Sequence, residues 1–185
     1  MPFLTAALAL GPDTPALVHP GGVLTYRELV ARADEAARRL RAIGMGRGDL
    51  VALKGDLGPD YLAMLHGVWR VGATAAPLHS RWTDEEEKQA LETLRPDLLL
   101  LGWETLAAAE PARGPLPWAS ESAVMAHLLT SGTSGRSRLV RITGTNLMVS
   151  TRVSRQRLGL QPSDRWLASL SAAHVGGLAL VTRAA

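Results

Sequence analysis

Apolar residues along the chain follow two spacings, which predict alternating helices and strands. Helical spacing runs from Tyr26 to Ile43 and stops before Gly44, a residue type common just past helix ends. The same spacing recurs over residues 59–71 and 84–94. Short apolar runs between these segments indicate strands, at Thr14–Val18, Val23–Leu24, Asp49–Leu53, Ala73–Leu78 and Asp97–Leu101.

The alternation continues in the last third of the chain. The patterns there predict strands at Ala123–Leu129, Leu139–Ile142 and Arg165–Leu170 and a helix at Thr145–Leu158. Strands and helices in this rhythm are typical of βαβ units, so the expected fold is α/β with a mainly parallel sheet.

A segment rich in proline and glycine, residues 110–118, is predicted to be a linker. We expect it to separate a first α/β subdomain, residues 1–109, from a second that begins at residues 119–185.

Local sequence signals support the predicted helices. Thr25 with Glu28, and Thr83 with Glu86, have the spacing of capping boxes. The acidic run Asp84–Glu87 would then fill the first turn of a helix and complement its dipole, which we favour over a metal site. His66 falls within a predicted helix and is interpreted as a structural or surface histidine.

Composition excludes several classes of protein and site. The 185 residues include 20 basic and 17 acidic side chains, and no basic stripe with interleaved aromatic residues indicates a nucleic-acid interface. Cysteine is absent, so disulfides and thiolate metal sites are excluded, and a reducing cytoplasmic location is expected. No apolar run has the length of a membrane span, and no signal peptide is predicted.

The strongest candidate for chemistry is the polar loop between two predicted strands. Its residues are Thr130, Ser131, Gly132, Thr133, Ser134, Gly135, Arg136, Ser137 and Arg138. The glycines allow a close backbone approach, the loop N–H groups can form an anion-binding nest, and Arg138 can bind phosphate through two parallel hydrogen bonds. The spacing does not match a Walker P-loop. The alternative is a flexible surface hairpin, because such compositions are common in plain loops.

The loop resembles the phosphate-binding signature T-S-G-T-[TS]-G-x-P-K-G of the adenylate-forming acyl-CoA ligase superfamily. Its first six positions match, whereas Ser137, Arg138 and Leu139 replace the proline, lysine and glycine. Shorter pieces that resemble the family precede it in order: Asp13–Leu17, Leu24–Leu29, Leu40–Gly44, Gly48–Leu53, Gly72–Ala73, Pro77–Leu78 and Pro96–Leu100. The resemblance therefore implies the incomplete N-terminal portion of the large domain of such a ligase.

His174 is a second candidate, placed just past the predicted strand Arg165–Leu170 and followed by Gly176 and Gly177. Ligand sites of open α/β sheets lie beyond such strand ends, but a histidine that caps the next helix is an equal alternative. This stretch resembles the family's aromatic-His-x-x-Gly segment, with Ala173 in place of the aromatic residue. The stretch from His174 to Ala184 is particularly similar to the o-succinylbenzoate–CoA ligase subfamily of menaquinone biosynthesis.

The resemblance implies an ATP-dependent acid–CoA ligase that makes an acyl-adenylate and then an acyl-CoA thioester. ATP, Mg²⁺, CoA and a small carboxylic acid are the implied cofactors and substrates. The loop residues and Arg138 would bind phosphate, while His174, as the catalytic residue, and the two glycines would border the acid.

Regions that supply the magnesium, ribose and adenine contacts in this family come later in the chain, so no metal ligand is assigned. We expect the chain to be an N-terminal fragment that is inactive alone and has exposed sheet edges favouring self-association. The alternative is a non-catalytic nucleotide-binding or interaction module left from a ligase.

Overall fold

The computed structural model describes residues 4, 7–9, 11–116, 120, 122–130, 138–161 and 163–183. Its strands are β1 (Pro15–His19), β2 (Gly22–Thr25), β3 (Leu50–Lys54), β4 (Thr74–Leu78), β5 (Leu98–Leu100), β6 (Val124–Thr130) and β7 (Arg138–Thr143). Its helices are α1 (Tyr26–Ala42), α2 (Pro59–Val71), α3 (Asp84–Leu94), α4 (Glu104–Ala107), α5 (Gly144–Leu158) and α6 (Val175–Arg183).

Five strands form one mixed sheet in the order β5-β3-β4-β6-β7. The pairs β3–β5, β3–β4 and β4–β6 are parallel, and only the hairpin between β6 and β7 is antiparallel. Strands β1 and β2 form a separate antiparallel pair. The predicted α/β fold with a mainly parallel sheet is therefore confirmed.

The strands β3 and β4 are buried on both faces. Along β3, Val51 and Leu53 join a core cluster with α1 and α2, while Leu50 and Ala52 join a second cluster. That second cluster includes Leu94 of α3. Alternate residues of a strand point to opposite faces, so the all-apolar runs of the sequence reflect helices on both sides of the sheet.

The helix boundaries follow the predicted sequence signals. Both predicted capping boxes form, with Thr25 accepting from the Glu28 N–H and Thr83 accepting from the Glu86 N–H. A third box forms between Thr143 and Asn146 at the start of α5, where an amide replaces the usual glutamate. These caps satisfy N–H groups that have no partner inside a helix.

The predicted strand at Arg165–Leu170 is wrong. Residues 164–169 have no regular structure, and residues 163–170 are exposed, with Leu167 84% accessible. A strand is stabilised by a neighbouring ladder of hydrogen bonds, and among the described residues no strand pairs with this segment. The apolar pattern identified the segment's composition but not the neighbour that a strand requires.

The predicted linker is anchored to α1 by arginine side chains. Arg38 donates to the Gly114 carbonyl at 3.0 Å, and Arg41 donates to the Pro115 carbonyl at 2.6 Å. Guanidinium groups supply several donors to a segment whose carbonyls have no helix or strand partner. Strands from before and after this segment also belong to the same sheet, because β6 pairs with β4. The division into two subdomains stays a prediction.

We predict that Gly67→Ala destabilises the chain because α1 and α2 cross closely at this residue. A Cβ at Gly67 would lie 2.5 Å from the Ala36 Cβ and 3.1 Å from the Ala33 carbonyl oxygen. Overpacking of this kind costs about 1–3 kcal/mol. This exceeds the roughly 0.5–1 kcal/mol gained by alanine over glycine inside a helix. Urea unfolding of the chain measures the difference.

Gly46→Ala is the matched control, because a Cβ at Gly46 would meet no atom within 4 Å. We expect it to change the free energy of unfolding by less than about 0.5 kcal/mol. An equal loss in both variants would contradict the close helix contact at Gly67.

We predict that His66 makes the chain less stable as the pH falls below 6.5. The side chain is 1% exposed, packs edge-on against Trp69, and burial lowers the pKa of His66 to about 3. The folded state therefore keeps a neutral imidazole while the unfolded state takes up a proton below its ordinary pKa of about 6.5. This group lowers the free energy of unfolding by up to roughly 1.4 kcal/mol per pH unit between pH 6.5 and 3.

His66→Gln removes this titration and keeps a polar side chain at the position. Urea unfolding at pH values from 7 down to 5 is expected to show a shallower loss of stability in the variant than in the parent chain. Parallel pH profiles of the two proteins would rule out a buried neutral imidazole.

Candidate functional site

The carboxyl ends of β4 and β6 meet at one edge of the sheet. These two strands are neighbours and parallel, so the residues that follow them, His79 after β4 and Thr130 at the end of β6, lie at the same edge. Ligands of open α/β sheets bind in the crevice beyond this edge. The topology therefore places His79 and Thr130 where such a ligand would lie.

The candidate phosphate loop joins the β6–β7 hairpin. Thr130 and Arg138 are the first residue pair below the loop, and the Thr130 hydroxyl donates to the Arg138 carbonyl at 3.4 Å. Both residues are exposed. The predicted strands on either side are thus confirmed, and Arg138 lies at the base of the hairpin loop. The predicted phosphate ligands Ser131, Gly132, Thr133, Ser134 and Gly135 lie outside the described residues.

His174 immediately precedes α6. Its carbonyl accepts the N–H of Leu178 at 3.0 Å, which begins the helix. Its imidazole has no hydrogen-bond partner among the described residues and lies against the ring of His79, with centroids 5.5 Å apart. The backbone of His174 thus begins the helix, as any residue at this position would, while its side chain lies against His79.

One cavity of about 600 Å³ brings the two candidates together. Thr130 and His174 both contribute to its wall. The other lining residues come from α3 and the turn before it, from the β6–β7 hairpin and from the start of α6, and they are Trp82, Glu86, Gln89, Ala90, Leu128, Leu129, Val140, Ile142, Ala173 and Val175. The wall is mostly apolar, with a few polar groups at separate points, as is usual for small-molecule sites.

Gly176 and Gly177 lie in the first turn of α6 and are not among the lining residues of this cavity. A Cβ at Gly177 would overlap the carbonyl oxygen of Ser171, so this glycine allows the helix to begin directly against the preceding turn. This packing explains a glycine at position 177 without a ligand. Contact of either glycine with a substrate stays a prediction.

Sequence analysis missed the contribution of the β4–α3 connection. Three residues of this connection lie at the site: Trp82 and Glu86 line the cavity, and His79 contacts the ring of His174. All three follow the carboxyl end of β4. The capping bonds from Thr83 hold the pKa of the Glu86 carboxyl below its usual range, with a smaller effect from His79. Glu86 is therefore ionised at neutral pH and held by the helix start. Polar residues directly after a predicted parallel strand were the available signal.

The acidic residues near this site belong to the start of α3 and to an ion pair. Among the described residues, no group of three or more His, Asp or Glu side chains could bind a metal ion, and the acidic run in α3 is a helix start, as expected. Glu87 of that run forms an ion pair with Lys54, at the carboxyl end of β3.

No helix within the described ranges has the length and apolar character needed to cross a membrane.

Curated relatives include the 2-succinylbenzoate–CoA ligase of Bacillus cereus, which is 30% identical over 188 residues. The match covers 94% of this chain and 39% of that relative. The chain thus spans about two fifths of the relative's length. The enzyme name agrees with the subfamily that the sequence resembles.

Solved structures confirm the fold. The o-succinylbenzoate CoA synthetase of Bacillus subtilis in complex with its acyl-adenylate intermediate superimposes with a TM-score of 0.88 at 24% identity, over 98% of this chain and 52% of that one. The same synthetase in complex with ATP and a magnesium ion superimposes with a TM-score of 0.88 at 23% identity, over 98% of this chain and 53% of that one.

A family model described as AMP-binding enzyme matches residues 4–114, which is more than half of the chain. The match includes β3, β4 and the connection to α3 that lies beside the cavity. The chain therefore belongs to the AMP-binding enzyme family.

Proposed function

We propose that this chain is the N-terminal part of an ATP-dependent acid–CoA ligase. The observation that carries the proposal is the shared cavity, which has the base of the candidate phosphate loop at Thr130 and the candidate acyl-site residue His174 in one wall. Family membership and the name of the curated relative support the same reaction class.

The proposed reaction has two balanced steps. A carboxylate oxygen of the acid attacks the α-phosphorus of ATP, and the bond to pyrophosphate breaks to leave an acyl-adenylate. The thiol of CoA then attacks the acyl carbon, AMP leaves and the thiol proton is released. Neither step needs a nucleophile from the protein, which is consistent with a chain that has no cysteine. The protein contributes by positioning the reactants and stabilising phosphate charge.

In this proposal the β- and γ-phosphates are bound by the loop residues Thr130–Gly135 together with Arg138. The local charge supports an anionic ligand, because residues 117–185 contain eight arginines and only two acidic residues. Arg138 occupies the place of the family's lysine and keeps its positive charge, with donors that match two phosphate oxygens at once. The Thr130 hydroxyl at the end of β6 would donate to a phosphate oxygen in place of its bond to the Arg138 carbonyl.

The acid would occupy the apolar part of the cavity beside His174. The curated relative's name points to 2-succinylbenzoate, an aromatic dicarboxylic acid of menaquinone biosynthesis. Ala173, where the family resemblance has an aromatic residue, lines the cavity and leaves room in its wall. This arrangement supports a bulky acid over a very small one.

CoA and a cytoplasmic location belong to the same proposal. Because the described residues contain no candidate metal cluster, Mg·ATP enters here as a substrate complex without assigned metal ligands. Self-association of the chain through exposed sheet edges is part of the proposal as well. A non-catalytic nucleotide-binding module is the competing function, since Ser137 and Leu139 depart from the family loop.

We predict that Arg138→Ala weakens binding of Mg·ATP by about 10-fold or more, because hydrogen bonds to charged groups contribute roughly 1.5–3 kcal/mol. Isothermal titration calorimetry of the 185-residue chain measures the dissociation constant. Arg141→Ala is the matched control: it removes the same charge from the same strand, three residues further along β7, at a residue that pairs with His127.

The dissociation constant of the control for Mg·ATP is expected to lie within about 2-fold of that of the parent chain, because salt screens exposed charges that do not contact the ligand. Equal weakening in both variants would indicate only general electrostatic attraction. Unchanged binding in Arg138→Ala would remove this arginine from the phosphate site.

We predict that the chain alone does not catalyse acid-dependent exchange between ATP and pyrophosphate. It spans 39% of its curated relative, and its described residues lack a candidate metal cluster. Radiolabelled pyrophosphate with 2-succinylbenzoate as the acid provides the assay. Binding without exchange fits both a ligase fragment and a binding module. Exchange by a parent protein that contains this chain favours the ligase, whereas exchange by the chain alone would contradict the expected inactivity.

A further inference from the structure

His79 occupies a sharply constrained position beside the cavity. It is the first residue after β4 and begins a turn in which the Trp82 N–H donates to the His79 carbonyl at 3.3 Å. The capping box of Thr83 follows at once, so little freedom remains on either side. The neighbouring Ser80 hydroxyl donates to Asp56 at 2.6 Å, which ties this turn to the residues after β3.

The imidazole of His79 is held by its own backbone. Its Nδ1 accepts the N–H of Arg81 at 3.1 Å, which in the neutral ring assigns the proton to Nε2. This bond fixes the ring relative to the turn, so His79 is a rigid group at the edge of the sheet.

His174 has no such support of its own. It is exposed, and its imidazole has no hydrogen-bond partner among the residues that the structure describes. Its ring contacts that of His79, at a centroid distance of 5.5 Å and an interplanar angle of 68°. Edge-to-face contacts of this geometry favour a particular orientation of the two rings. The held ring therefore restricts the unsupported one.

The position of the pair gives this contact a consequence for the site. His174 and Thr130 line the cavity, whereas His79 is not among its lining residues and contacts His174. Trp82, which lines the same cavity, has its ring 6.4 Å from that of His79 on a tilted plane. His79 thus contacts two side chains of the cavity wall without lining the cavity itself.

We propose that His79 is a positioning residue that orients the imidazole of His174 at the wall of the cavity. This proposal rests on the proposed function only where it assigns the imidazole of His174 to the acyl site. The ring contact itself is a property of the chain with no ligand bound. Failure of the positioning role of His79 can therefore be distinguished from failure of the proposed ligase function.

The test is NMR spectroscopy of the 185-residue chain labelled with ¹⁵N and ¹³C, read from the imidazole signals. His79→Phe keeps an aromatic ring and removes the Nδ1 acceptor. His79→Asn keeps an acceptor within reach of the Arg81 N–H and removes the ring. His19→Asn is the matched control, because the Nδ1 of His19 accepts the Gly21 N–H at 3.2 Å in the same local arrangement.

We expect cross-peaks between the rings of His79 and His174 in the parent chain. His79→Asn should shift the imidazole signals of His174 toward those of an unrestrained histidine. His79→Phe, whose ring lacks the bond to the Arg81 N–H, should restore them only in part, and His19→Asn should leave them unchanged. Amide spectra of each variant establish that the fold is kept, and a variant that fails to fold leaves the other to decide.

Absence of cross-peaks between the two rings in the parent chain would overturn the proposal. It would equally be overturned by His174 signals that stay the same in His79→Asn. Binding of Mg·ATP is measured separately, so a chain that binds no nucleotide but shows these effects would keep the positioning role and lose the proposed function.

Discussion

Burial of the central strands on both faces is the constraint on which the rest of the structure depends. Residues of β3 and β4 alternate between a core shared with α1 and α2 and a core shared with α3. A sheet covered on both sides by helices is normally parallel, because each helix connects one strand to the next in the same direction. Parallel strands in turn align their carboxyl ends along one edge.

The candidate site lies at that edge. It brings together the connection after β4, which carries His79 and Trp82, and the hairpin after β6, which carries Thr130 and Arg138. The start of α6 then adds His174 from a distant part of the sequence. These residues come from three separate parts of the chain. Those after β4 and β6 lie at one edge because these two strands run in the same direction.

The same core explains how the less regular parts are held. Close packing of α1 on α2 at Gly67 fixes α1, and the arginines on α1 then bind the carbonyls of residues 112–115. Sequence patterning favours a solvated face for these charges, yet they satisfy backbone groups that would otherwise lack a partner. Under the proposed function, in which the protein positions its substrates, a rigid support of this kind matters more than a reactive side chain.

The sequence by itself determined the helices α1, α2, α3 and α5, most of the strands and the family, whereas the short helix α4 was not predicted. Capping boxes at Thr25 and Thr83, glycines after helices and continuous apolar runs are local signals, and local hydrogen bonds and burial follow from them directly. Only the tertiary structure decided the fate of Arg165–Leu170 and the contact of His79 with His174. A strand needs a neighbouring strand and a ring contact needs a second ring, and neither partner can be identified from the spacing of residues along one segment.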